Sequence, residues 1–188
     1  IGLLAIGRLS LNEARHAGIG GGGWYGFLAM GMLSGAAQGW VLTRALRFFL
    51  QPGDGTPLIL TAFLLGGFVM NLTSPWWGLH LRRVLPVSAV LFLALFWIFD
   101  AGTSQGSGWV LRSLLLGAAT ATYWALAFQS IDGRMRKLAL SADAVGMVLG
   151  SLACQLGIVT LGFRGVGWLL IALAAYLAAT AIRAPAGP

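Results

Sequence analysis

Few side chains in this sequence are equipped for chemistry. There are two histidines, His16 and His80, one cysteine, Cys154, and five acids: Glu13, Asp54, Asp100, Asp132 and Asp143. Ser34 is flanked by Gly31 and Gly35 in GMLSG, a setting compatible with a serine nucleophile. Such a nucleophile needs a base within hydrogen-bond reach, and neither histidine falls in a later apolar run where that base belongs. The same shortage removes paired haem ligands at membrane depth. A single thiol excludes an internal disulfide and a cysteine-based zinc site. Cys154 lies inside an apolar run and reads as a small buried hydrophobe. The acids are scattered. Only Asp132 and Asp143 fall near one another, close to Arg134, Arg136 and Lys137, where ion pairing is a simpler use than proton coupling. These residues define no catalytic group, no metal site and no cofactor.

The polar residues inside apolar runs are more informative, because intramembrane polar groups are costly and often functional. Gln38, Tyr123 and Gln155 are the candidates for lining a substrate path, with hydrogen bonding between helices as the alternative use. They lie among small residues at helical spacing. Gly31, Gly35 and Gly39 form the double GxxxG pattern GMLSGAAQG, with Ser34 and Gln38 on the same face. Asp143, Gly146, Met147, Gly150, Cys154 and Gly157 line one face of a later run, flanked by Gln155. Ser113, Gly117, Thr120, Trp124 and Ala127 share a side of the run between them, with Tyr123 beside it. Small residues so spaced let helices approach closely. Gly31, Gly35, Gly39, Gly146 and Gly150 are therefore expected at helix–helix contacts.

The elements that must position these residues follow from composition. The chain has 188 residues, of which 58% are hydrophobic and 9% charged, with a mean hydropathy of +0.84. A soluble domain carries about 25% charged residues. The bilayer is thus the expected solvent and partner. The net charge of +7 comes from basic residues set singly or in short clusters between apolar runs, which suits loops at a membrane surface rather than a nucleic-acid partner. Runs at 24–49, 57–77, 84–101, 108–130, 139–162 and 165–183 approach the roughly 20 residues that a spanning helix needs. They do not alternate as barrel strands would. The fold class expected is all-α: a polytopic transmembrane bundle of six spans over 24–188. Residues 1–23 read as the end of a preceding helix and a cytoplasmic linker, and hence the chain as a fragment. QPGDGTP (51–57), AGTSQGSG (101–108), IDGRMRK (131–137) and GFRG (162–165) read as connections. The side holding Arg82 and Arg83 collects eight basic residues and the other side four. The positive-inside rule then puts both ends in the cytoplasm. Trp24, Trp76, Trp77, Trp109 and Trp168 fall near helix ends, as interfacial anchors do.

The sequence resembles the C-terminal six-helix half of a major facilitator superfamily transporter. Three features carry the likeness. Gly78-Leu79-His80-Leu81-Arg82-Arg83 stands where that family has a Gly- and Arg-containing cytoplasmic turn of the form G-x-L-x-D-R-x-G-R-R, here shortened and without the acid. GRMRKLALSADAVGMVLGSL is similar to the family's basic loop running into a Gly-rich helix. The plainest runs are the third and sixth, which the family keeps at the periphery. The resemblance implies a multi-pass permease of the cell inner membrane, if bacterial. It implies an N-terminal six-helix half on the same chain, a small-molecule substrate between the halves and alternating access. The alternative is a non-transporting membrane subunit, a scaffold or assembly factor, whose small faces are filled by neighbouring helices.

Overall fold

A computed structural model describes residues 22–46, 52–77, 79–98, 106–129, 131 and 133–183. The expected helix end and linker within 1–21 lies outside the described residues, as does Gly78. Among the described residues all regular structure is helical: α1 (Gly22–Ala45), α2 (Pro52–Thr73), α3 (Leu79–Ile98), α4 (Gly106–Gln129) and α5 (Arg136–Arg183). Short 3₁₀ turns at Ser74–Trp76 and Gly133–Met135 link α2 to α3 and α4 to α5.

The helix boundaries differ from the sequence reading in three informative ways. Pro52 and Pro57 both lie in α2 rather than in a turn before it. Proline at the first helical position has a preset φ and lacks only an N–H that would be unbonded anyway. Arg82 and Arg83 belong to the first turns of α3, not to a turn between helices. The apolar run that starts at Val84 marks where the helix becomes greasy, not where it begins. Finally, α5 is interrupted by a break of one residue. Gly162 has φ 71° and ψ 173°, outside helical space, and divides α5 into arms 136–161 and 163–183. A positive φ is easy for glycine, which has no Cβ to clash.

Three helical stretches are long and apolar enough to cross a membrane: Gly55–Trp76, Gly108–Phe128 and Arg136–Ala179. α3 contributes a shorter apolar stretch, Val84–Leu95. In α1, six glycines together with Ser34, Gln38 and Arg44 dilute the hydropathy of a helix that is 24 residues long. The exterior agrees with a lipid solvent. Leu64, Leu65, Phe68, Val69 and Leu72 form an exposed apolar stripe on α2, and Leu149, Leu152, Leu156 and Val159 another on α5. These helices and this exterior mark a membrane protein. Outward apolar surface is not confined to the third and sixth runs, because the glycines of α2 and α5 occupy only one face of each helix.

Two helix pairs organise the packing: α1 with α5, and α2 with α4. In the first, a Cβ on Gly31 would collide with the backbone of Asp143, and one on Gly35 with that of Met147. Reciprocally, Gly146 meets the backbone of Leu28, Gly31 and Met32, and Gly150 that of Met32. In the second pair, Gly66 abuts the backbone of Leu114 and Ala118, and Gly117 that of Phe63. Backbones this close allow Cα–H···O contacts and dense dispersion attraction. Gly39 is looser, with Cys154 and Gln155 side-chain atoms at ordinary contact distance.

The remaining apolar core lies at the other end of α1. Trp40, buried, gives its indole N–H to the Phe163 carbonyl at 3.4 Å. The Arg44 guanidinium stands 5.3 Å above the Phe163 ring. The one-residue break at Gly162 therefore delivers a carbonyl and an aromatic face to α1. The tryptophans divide. Trp76 and Trp168 are exposed, as interfacial anchors would be, whereas Trp24, Trp77 and Trp109 are buried in the packing.

Candidate functional site

The two glycine-sealed pairs are themselves less tightly joined, and an open cleft of about 320 Å³ lies between them. α1 contributes Ser34 and α5 contributes Asp143 and Met147. α2 supplies Phe63, Leu64, Gly67, Phe68 and Asn71, and α4 supplies Gly117, Ala121 and Trp124. The glycines explain the geometry. Gly31 draws α5 onto α1 at Asp143, and the next polar residue of α1 on that side, Ser34, then faces the same space. Gly117 draws α2 in at Phe63, which brings Gly67 and Asn71 opposite Trp124.

The polar groups that line the cleft are few. The Asn71 amide donates to the Gly67 carbonyl at 3.1 Å, which leaves its own carbonyl oxygen for another donor. The Trp124 indole N–H is buried without an acceptor. Its ring stacks on Phe128 at 4.2 Å between centroids, and the Arg136 guanidinium lies 5.2 Å from the Phe128 centroid. Asp143 is half-buried, and among the described residues it forms no hydrogen bond or ion pair. It stands seven residues into α5, about 10 Å along the axis at 1.5 Å per residue. That is deeper than the interfacial position its neighbours in sequence suggest. A carboxylate in such a setting is expensive unless something compensates it.

None of the three residues expected to line a path, Gln38, Tyr123 and Gln155, lines this cleft. Tyr123 is 1% exposed, and its hydroxyl donates to the Pro86 carbonyl at 3.1 Å, tying α4 to α3. Gln155 is exposed and its amide donates to the Thr43 hydroxyl at 3.1 Å; that hydroxyl in turn donates to the Gly39 carbonyl at 2.7 Å. Gln38 is half-buried on α1. Ser151 donates to the Gly35 carbonyl at 3.0 Å, so the α1–α5 seam carries hydrogen bonds as well as glycines. Of the turn motif, Gly78 lies outside the described residues, and Arg82 and Arg83 are placed only as backbone within α3. Among the described residues no cluster of His, Cys, Asp and Glu is disposed to hold a metal ion.

Sequence reasoning passed over Asn71, and read Asp143 as one half of a surface ion pair. A signal for Asn71 was present: it is the lone amide in the α2 apolar run, four residues beyond Gly67. For Asp143 the signal was its place on the same face as Gly146 and Gly150. A residue on a glycine face is turned toward a neighbouring helix, not toward the loop that precedes it. No family model, curated protein or solved structure matches this chain.

Proposed function

We propose that this chain is the C-terminal six-helix half of a major-facilitator-like secondary transporter. It would move a small solute by alternating access, with both ends cytoplasmic and no catalytic chemistry of its own. The observation that carries the reading is the pairing of helices. Number the helical segments 1 to 6 in chain order, counting the two arms of α5 separately. The glycine seams join segment 1 to 5 and segment 2 to 4. Exchanging the first three segments for the last three turns the 1–5 seam into the 4–2 seam. A three-plus-three repeat is the architecture from which many transporter halves are built. The open cleft lies where these two related pairs face each other, lined from four helices. A scaffold with filled small faces offers no reason for polar groups to converge there.

The test is thiol accessibility in the full-length protein carrying Cys154→Ala, in right-side-out and inverted vesicles. Gly133→Cys is expected to react with a membrane-impermeant maleimide from the cytoplasmic side and Gly108→Cys from the opposite side, because α4 separates them. Ser34→Cys, in the cleft, is expected to react from both sides. Reaction of Ser34→Cys from one side only would overturn alternating access and favour the scaffold.

A further inference from the structure

We infer that the cleft between the two helix pairs binds an organic ammonium ion with an aromatic or aliphatic body, seated with its charge on Asp143. The inference rests on the transporter reading for its purpose but on the cleft alone for its chemistry. Four features of the cleft select this class. The first is charge: Asp143 is the sole ionisable side chain among the described residues that line it. Other described cations are engaged elsewhere or face outward. Arg136 lies over Phe128, Arg44 over Phe163 and Arg112 over Trp109, while Lys137 is exposed. A carboxylate at this depth lacks a protein counter-ion among the described residues, and a bound cation would supply one.

The second feature is aromatic. Trp124, Phe63 and Phe68 line the same space, and indole and phenyl faces attract ammonium groups through their quadrupoles. The third is the arrangement of acceptors. The Ser34 hydroxyl and the Asn71 carbonyl oxygen can each accept from an N–H, and both residues line the cleft with Asp143. One N–H of the Asn71 amide is committed to the Gly67 carbonyl, and its carbonyl oxygen remains as an acceptor. The fourth is size and polarity. The volume of about 320 Å³ lies at the small end of ligand clefts, roughly 300–1,000 Å³. Leu64, Met147 and Ala121 add apolar lining. Among the described residues that line the cleft no cation screens Asp143, so an anion would be repelled there and a neutral solute would leave the charge uncompensated.

The probes are 2-phenylethylammonium, 2-phenylethanol and 3-phenylpropionate, which share a ring and differ in charge. Equilibrium binding of each is measured to the full-length protein in lipid nanodiscs. The amine is expected to bind at least about tenfold more tightly than the alcohol or the carboxylate, the size of one well-placed charged contact. Asp143→Asn should abolish that preference, Asp143→Glu should keep part of it, and Phe68→Ala should weaken the amine severalfold. Thr160→Val is the control, because Thr160 bonds only within its own helix and lies outside the cleft. Thermal unfolding of each variant separates lost binding from lost fold. Equal binding of the three probes, or an unchanged preference in a folded Asp143→Asn protein, overturns the assignment. The two readings separate cleanly. Amine binding without amine flux into proteoliposomes supports the site and counts against the transporter. Solute flux without amine preference overturns the site and leaves the transporter standing.

Discussion

The α1–α5 pair and the α2–α4 pair solve one packing problem with different materials. Both bring backbones together through glycine. The α1–α5 seam is doubly sealed, by Gly31 and Gly35 from one side and Gly146 and Gly150 from the other. It adds side-chain bonds across the seam, from Ser151 to the Gly35 carbonyl and from Gln155 to Thr43. The α2–α4 seam has one glycine from each helix in backbone contact, Gly66 and Gly117. Its hydroxyls bond backward within their own helix, as Thr120 and Thr122 do on α4. The first pair is therefore the more fixed of the two. The second carries most of the cleft lining and the exposed stripe Leu64, Leu65, Phe68, Val69 and Leu72. If the proposed transport opens and closes the cleft, one wall must stay fixed while the other shifts, and the difference in sealing would give those parts to α1–α5 and α2–α4 respectively.

The largest effect expected is from filling the doubly sealed seam. Gly146→Leu would drive a branched side chain into the backbone of Leu28, Gly31 and Met32, atoms that cannot swing aside. It should prevent accumulation of folded protein, read as loss of the monodisperse peak in gel filtration. Gly146→Ala should cost about 1–3 kcal/mol, the usual range for overpacking, measured by reversible unfolding in detergent. A Gly146→Leu protein that purifies normally would mean that α1 and α5 are not held in this register.

A sharper comparison uses neighbouring glycines in the second seam. Gly66→Ala puts a methyl against the backbone of Leu114 and Ala118, whereas Gly67→Ala meets the Ala121 methyl at 3.6 Å, an ordinary contact. The first should lose about 1–3 kcal/mol and the second almost nothing. Equal losses would show that the α2–α4 approach is not set by Gly66. Because Gly67 lines the cleft, its alanine variant also narrows the site while sparing the fold.

Much of the helical content was readable from the sequence, and for a physical reason: in lipid a helix is the way an isolated segment satisfies its own backbone, so long apolar runs announce it. Helix ends were less readable. Pro52 to Pro57 has the composition of a loop yet starts α2, because Pro52 stands at the first helical position, where its missing N–H would be unbonded anyway, while Pro57 lies inside the helix. Arg82 and Arg83 look like punctuation but are the polar first turns of α3. Hydropathy marks where a helix meets lipid, and a helix extends past that point. The glycine faces were legible because GxxxG spacing is a property of one helix. The partner of each face was not, since the choice of α5 for α1 and of α4 for α2 depends on how four helices pack at once. The same limit hid the cleft. Ser34, Asn71, Trp124 and Asp143 lie on four elements, and nothing local to any of them says that they meet. Tyr123 and Gln155 drew attention as polar residues in apolar runs. That signal does not separate a group facing a cavity from one bonded to a neighbouring helix.

Smaller effects probe the bonds that distinguish the seams. Tyr123→Phe removes the bond to the Pro86 carbonyl without changing shape. Hydrogen bonds between membrane helices average about 0.6 kcal/mol, and this one should cost about 0.5–1.5 kcal/mol because the site is dry. Substrate flux should be unchanged once the fraction folded is accounted for. A loss of flux with stability intact would place the hydroxyl in the solute path.

The smallest effect expected is that of Gln155→Leu. The Gln155 amide reaches the Thr43 hydroxyl from an exposed position, and Thr43 keeps its own bond to Gly39 when the amide is gone. Little is left unsatisfied, and the leucine meets an apolar exterior already formed by Leu152, Leu156 and Val159. Stability should change by less than about 0.6 kcal/mol, and the amine preference of the cleft should not change at all. The result bears on which wall moves. If the α1–α5 pair is the rigid wall, removing the Gln155–Thr43 bond leaves flux as it was, because Gly31, Gly35, Gly146 and Gly150 and the bond from Trp40 to the Phe163 carbonyl still lock the pair. If flux falls while unfolding and amine binding stay constant, the Thr43 end of that pair opens during transport. The rigid and mobile walls would then have to be exchanged.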